Sequence, residues 1–128
     1  MTLNDSWGYN AADQNWKTPK QVIQNLVRCS NGDGNFLLNV GPKPDGTIPS
    51  ESERILRKVG RWLRRNEGAI YGTVPSPFRT STGMSTLKGS TLYMHVLRWP
   101  GKEITLPCIA NPVRFVHLLE GGRPVKFE

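Results

Sequence analysis

"NFLLNVGPKPDGTIP", residues 35–49, begins as one kind of sequence and ends as another. Phe36, Leu37, Leu38 and Val40 form a short apolar run with a single amide, Asn39, inside it. Gly41, Pro42, Pro44, Asp45 and Gly46 follow at once. A continuous apolar run, rather than an alternating one, is what a strand covered on both faces requires. The stretch therefore predicts a buried strand over 35–40 that opens directly into a stiff loop. In parallel α/β architectures the loops after the strands' C-terminal ends build the binding site. Asn39 can offer a donor and an acceptor to a hydroxylated ligand, or it can satisfy neighbouring backbone; this stretch leaves both open.

The flanks predict helices. Thr18 can cap a helix over 18–31, Pro19 suits its first position and Gln21 completes a capping box. Val22, Ile23, Leu26 and Val27 recur at helical spacing, and "NGDG" at 31–34 stops the run. After the loop, Ser50 reads as a second cap, with Glu53 three residues on. Ile55, Leu56, Val59, Trp62 and Leu63 form the buried stripe of that helix, and Gly68 is its expected stop. The order is helix, buried strand, helix, the pattern of an α/β layered or barrel protein.

Beyond Tyr71 the texture changes. "GTVPSPFRTSTG", residues 72–83, is rich in Pro, Ser, Thr and Gly and reads as a linker. Alternating stretches follow at 91–99, 103–107, 113–119 and 124–128, separated by the turn signals "PGK" and "EGGR". This part is expected to be antiparallel β, sandwich-like and unfinished at Glu128. Two domains are thus expected, 1–73 and 74–128.

Composition sets the outer bounds. The 128 residues make one domain's worth of chain, and 37% hydrophobic with 21% charged residues is the profile of a folded protein. No apolar stretch approaches the roughly 20 residues of a membrane helix. "MTLNDSWGYN" shows neither a basic n-region nor an apolar h-region, so no signal peptide is visible and the location is left open. Much of the formal charge of +7 sits in residues 53–65, where six basic residues face one acidic. On a helix these bases fall mainly opposite the apolar stripe and are expected to be a solvated face. Polyanion binding is the alternative, although no nucleic-acid reader motif accompanies the charge. Cys29 and Cys108 lack metal-ligand spacing; free thiols are expected, with a single disulfide left open. His95 and His117 alternate with apolar residues on predicted strands and read as ordinary sheet residues. No metal site is expected.

The N-terminal stretch "NDSWGYNAADQNW", residues 4–16, sets Trp7, Tyr9 and Trp16 among Asn and Asp without clear periodicity. Such a mixture suits sugar recognition. A ring face takes the C–H side of a sugar, while amides and carboxylates take its hydroxyls.

Taken together, "MTLNDSWGYN", "LLNVGPKPDG" and "EGAIYGT" in this order closely resemble the C-terminal end of the catalytic barrel of α-L-fucosidases, glycoside hydrolase family twenty-nine. The resemblance covers about residues 1–73, and 74–128 look like the start of that family's C-terminal β-sandwich. It implies the last helix–strand–helix portion of a (β/α) barrel joined to a partial sandwich. It also implies a retaining hydrolase that releases terminal α-L-fucose, with a fucoside or fucosylated glycan as partner and no cofactor. A whole barrel takes roughly 200 residues or more, so a truncated form is expected. The family's nucleophile and acid/base carboxylates lie upstream of the stretch that matches Met1. No catalytic residue is carried over, then, and Trp7, Tyr9 and Asn39 are carried over as a wall of the substrate site.

Among the remaining carboxylates, Glu51, Glu53 and Glu67 belong to helix termini. Asp5 and Asp45, in the two loops that would meet at the barrel's top, are the candidates should this chain hydrolyse anything. A non-catalytic carbohydrate-binding or complementation module is the alternative from another class. The strand and helices, lacking barrel neighbours, lead to the expectation of a homo-oligomer, most simply a twofold dimer.

Overall fold

The computed structural model describes residues 1–107 and 109–128, with Arg79 described through its backbone alone. Helix α1 runs over Pro19–Asn31 with the expected capping box. The Thr18 Oγ1 accepts from the Gln21 N–H at 3.2 Å, and the Gln21 Oε1 accepts from the Thr18 N–H at 2.7 Å. The helix stops at Gly32, whose N–H donates to the carbonyls of Arg28 and Cys29. Val22 and Val27 face inward.

Helix α2 spans Ser50–Asn66. Ser50 is its first residue rather than its cap: Pro49 occupies the cap position, where it has no side-chain hydrogen bond to give. Glu51 and Glu53 instead supply negative charge in the first turn, where exposed N–H groups favour it. At the other end the chain tightens into a 3-10 turn, Glu67–Ala69, which contains the expected stop, Gly68. Ile55 and Val59 join Leu3 and Val22 in one apolar cluster, against which Trp16, Ile23, Phe36, Leu38, Val40 and Leu63 pack partly buried. Of the six bases on α2, Arg54, Arg57 and Arg65 are ion-paired with Glu51, Glu53 and Glu120. Lys58, Arg61 and Arg64 are exposed.

Residues 35–40 depart from expectation. They do not form a ladder covered on both faces. Asn39 makes a single parallel bridge with Thr2. The Leu3 N–H donates to the Asn39 carbonyl at 3.1 Å, and the Asn39 N–H donates to the Met1 carbonyl at 2.8 Å. Only one neighbour pairs with this segment among the described residues, so Leu37 stays 72% exposed while Phe36, Leu38 and Val40 are half-buried.

The second half is a three-stranded antiparallel sheet in the order β1–β2–β3, formed by Val74–Thr80, Gly83–Lys88 and Thr91–Val96. The expected linker is thus β1. Its prolines, Pro75 and Pro77, cannot donate to a ladder, and an edge strand tolerates them. The β1–β2 register breaks between Pro75 and Arg79. Gly83 is compelled by packing: a Cβ there would lie 1.9 Å from the His95 carbonyl oxygen. No strand forms over 103–107. Residues 113–128 form a hairpin, with His117 opposite Pro124 and the Val125 N–H donating to the Val116 carbonyl. Phe115, Leu118 and Phe127 remain exposed there, because no further strand covers them among the described residues.

Sheet and helices meet through polar groups. The buried Asn31 Nδ2 donates to the Ser85 carbonyl at 2.7 Å, and the Thr86 Oγ1 donates to the Ala69 carbonyl at 2.8 Å. His95 sits on β3, as expected. Cys29 is half-buried; the question of a Cys29–Cys108 disulfide lies outside the described residues. Among the described residues no helix is long and apolar enough to cross a membrane, and no group of three or more His, Cys, Asp or Glu could hold a metal ion.

Candidate functional site

The loop 4–16 meets the loop 41–49 where the bridged segments end. Leu3 is fully buried and fixes the point of departure. The Lys17 N–H donates to the Leu3 carbonyl at 2.8 Å, and its Nζ donates to the Asn4 carbonyl at 2.8 Å. From there the chain turns outward as Asp5–Ser6–Trp7–Gly8–Tyr9.

Three contacts hold that excursion. At its base, the Asp13 Oδ2 accepts from the backbone N–H groups of Asp5 at 3.0 Å and Ser6 at 2.8 Å. Asp13 Oδ1 accepts from the Asn15 N–H at 3.1 Å. The Ser6 side chain and these backbone donors hold the Asp13 carboxyl below the usual range, so it stays ionised and keeps accepting. At its tip, the Asn39 Nδ2 donates to the Trp7 carbonyl at 2.6 Å. Beside it, Gly41 lets the two loops touch. A Cβ at Gly41 would lie 2.6 Å from the Gly8 carbonyl carbon and 2.6 Å from the Tyr9 nitrogen, closer than any side chain permits.

The backbone is thus pinned while its aromatic rings stand free. Trp7 is 63% exposed and Tyr9 42%. An exposed ring normally costs burial energy, about 1.5–3 kcal/mol for a large apolar side chain. Both rings stand on a turn whose backbone is tied down. Next to it, Asn39 retains its Oδ1 as an acceptor. The Trp7 carbonyl meets Asn39, and the Tyr9 nitrogen lies against Gly41. The Asn39 nitrogen satisfies backbone, and among the described residues its Oδ1 has no protein partner.

Asp5 and Asp45 each have their own local hydrogen-bond partners. The Asp5 Oδ2 accepts from the Asn15 Nδ2 at 2.7 Å, and its Oδ1 lies 3.8 Å from the Lys17 Nζ. The Asp45 Oδ1 accepts from the Thr47 hydroxyl at 2.7 Å and the Thr47 N–H at 2.9 Å, closing the turn between Lys43 and Thr47. The Thr47 side chain, its N–H and nearby Lys43 hold the Asp45 carboxyl low, which suits a base or nucleophile better than a proton donor.

Two contributors escaped the reading of the sequence. Asp13 gave no signal beyond a turn-like "NAAD", and the steric role of Gly41 is invisible without its neighbour. A larger cleft of about 440 Å³ separates α1, α2 and β3, lined among others by Lys20, Trp62, Asn66 and His95. Its polar side chains are partly spent: the Asn66 Nδ2 donates to the Trp62 carbonyl, and the His95 Nε2 lies 3.2 Å from the Thr86 Oγ1.

The chain is similar to known proteins. The protein-family model described as Alpha-L-fucosidase matches residues 1–68. An alpha-L-fucosidase of Branchiostoma floridae is 32% identical over 136 residues, covering 99% of this chain and 30% of that protein. Alpha-L-fucosidase isoenzyme 1 from Paenibacillus thiaminolyticus superposes with a TM-score of 0.95 at 41% identity, over 100% of this chain and 31% of that one. A Thermotoga maritima alpha-fucosidase solved in complex with fucose superposes with a TM-score of 0.69 at 33% identity, over 73% of this chain and 24% of that one. The chain thus spans about 30% of the length of the first of these relatives. With two helices and a three-stranded sheet matching the C-terminal region of these enzymes over its length, the chain belongs to the α-L-fucosidase family.

Proposed function

We propose that this chain supplies one wall of a fucose site, within a retaining hydrolase that releases terminal α-L-fucose. The carrying observation is the pinned Trp7–Tyr9 turn beside the open acceptor of Asn39. Fucose is a deoxy sugar with an apolar methyl and a C–H face, and rings such as Trp7 and Tyr9 suit that face. A hydroxyl of the sugar would donate to the Asn39 Oδ1. Residues 1–73 act as the last helix–strand–helix portion of a (β/α) barrel, and 74–128 as part of a β-sandwich. The family match over residues 1–68 supports the first assignment, and the antiparallel sheet supports the second. Retaining hydrolysis uses two carboxyl groups about 5–5.5 Å apart, and Asp5 and Asp45 are the candidates this chain itself offers.

Calorimetric titration with methyl α-L-fucoside tests the reading. Saturable binding is expected, weakened about tenfold or more by Trp7→Ala. Equal binding by both proteins would remove Trp7 from the site. If the chain also cleaves an aryl α-L-fucoside, Asp5→Asn or Asp45→Asn should lower turnover by about 100-fold or more; unchanged rates in both would clear these carboxylates.

A non-catalytic carbohydrate-binding or complementation module is the alternative reading. Sugar binding without turnover would mark it. Leu37, at 72% exposure, and Leu56, at 37%, also leave apolar surface for a second copy, so a twofold dimer is the proposed assembly. Light scattering that gives a monomer at all concentrations would contradict it. The polyanion reading loses ground, because half of the α2 bases are already ion-paired.

A further inference from the structure

Asn31 closes α1 and Gly32 follows it, the one Asn-Gly pair in the sequence. Such a pair is prone to lose its side-chain amide, because glycine leaves the next backbone nitrogen unshielded by a Cβ. The Gly32 nitrogen attacks the Asn31 Cγ and gives up its proton. The Cγ–Nδ2 bond breaks, and ammonia leaves with that proton. Water then opens the cyclic imide at either carbonyl, which yields Asp or its β-linked isomer. Water is the sole co-reactant.

The fold blocks the first step in three ways. The Asn31 Nδ2 donates to the Ser85 carbonyl at 2.7 Å, which holds the side chain toward β2. The Gly32 N–H donates to the carbonyls of Arg28 at 3.0 Å and Cys29 at 3.1 Å, so its nitrogen faces back along the helix. Asn31 is 3% exposed, which keeps out the water and base the reaction needs. These protections belong to one joint. Beside Ser85 on β2, the Thr86 hydroxyl ties the strand to the Ala69 carbonyl at 2.8 Å.

The product cannot restore the joint. A carboxylate at position 31 has no proton to give the Ser85 carbonyl, and it sets a negative charge against that oxygen in a buried place. One reaction in the opened state thus turns a reversible undocking into a permanent one.

We infer that Asn31–Gly32 is a self-modification site, closed to deamidation while the β1–β3 sheet is docked on α1 and open when the sheet lifts away. This is independent of the sugar reading.

The whole chain, held at mildly alkaline pH, provides the test. Mass spectrometry of the tryptic peptide that begins at Cys29 follows the amide-to-carboxylate change, and fragmentation separates Asn31 from Asn35 and Asn39. The chain unfolded in urea should react at Asn31 at least about tenfold faster than the folded chain, whose rate is scaled by its opening equilibrium. Thr86→Val removes the second bond of the joint. It should raise the folded rate about threefold or more, the worth of one hydrogen bond, and leave the rate in urea unchanged. Urea below the unfolding midpoint should raise the folded rate of the unaltered chain too, a reading that holds even if the variant fails to fold. Asn31→Asp, a copy of the product, should speed amide exchange in β2 more than in α2. Equal rates in folded and unfolded chain, or reaction at Asn35 or Asn39 in place of Asn31, would overturn the site. A folded rate indifferent to both Thr86→Val and mild urea would overturn its link to the docked sheet.

Discussion

The two halves of the chain are joined inside by different physics. Residues 1–70 hold together through an apolar cluster in which Leu3, Val22, Ile55 and Val59 have nearly lost contact with water. Residues 71–128 hold to them through an amide and a hydroxyl: Asn31 to Ser85 and Thr86 to Ala69. An apolar joint is forgiving of direction and costly to empty. A polar joint in a dry place depends on direction and fails when one partner is lost. The first kind leaves a periodic trace in sequence; the second leaves almost none.

That contrast can be broken from either side, and the largest effect belongs to the apolar half. Ile55→Ala should lower unfolding free energy by about 2–5 kcal/mol, the cost of a buried aliphatic cavity, read by urea denaturation. A change under 1 kcal/mol would mean the cluster is not the joint it resembles. Asn31→Ala attacks the polar joint and leaves the Ser85 carbonyl without its donor, for about 1–3 kcal/mol. If the joint is polar as argued, hydrogen exchange should rise in β2 more than in α2.

Smaller still is the helix cap. Thr18→Ala removes an acceptor for the Gln21 N–H and should cost about 1 kcal/mol, confined to the start of α1.

Acidity adds a test specific to the sheet half. Burial pushes the His95 imidazole below its ordinary pKa, against a smaller opposing pull from a hydrogen bond at the Ala69 backbone. The unfolded chain therefore binds a proton first as pH falls. His95 stability is in full force above about pH 6.5 and is lost as pH drops toward the depressed folded value. His95→Gln should flatten that slope, as thermal melts between neutral and mildly acid pH would read it. An unchanged slope would place the titration elsewhere.

The same division explains what could be read in advance. Thr18, Pro19 and Gln21 announced α1 because a capping box is local chemistry. The stripe of Ile55 and Val59 announced α2 because burial repeats at helical spacing. Ser50 misled by one residue, since Pro49 took the cap position without a side chain able to bond. β1 was hidden by Pro75 and Pro77, residues that look like a linker and are tolerated at a sheet edge. The apolar run at 35–40 was visible, yet a run cannot say how many neighbours it has. In the candidate site, the aromatic and amide character of Trp7, Tyr9 and Asn39 was legible. The bond from Asn39 to the Trp7 carbonyl, which spans 32 positions, was not. Nor was the reason position 41 must be glycine, which lies in the backbone of Gly8 and Tyr9.

The central claim is that the Trp7–Tyr9 turn is a fixed surface made for fucose, and one titration addresses it directly. The ¹⁵N-labelled chain would be titrated with methyl α-L-fucoside while the Trp7 indole, the Tyr9 amide and the Asn39 side-chain amide are followed. The account predicts saturable shifts at all three, with Trp99, an equally exposed ring far along the chain, unmoved as the control. Shifts confined to other residues, or Trp7 and Trp99 responding alike without saturation, would contradict it.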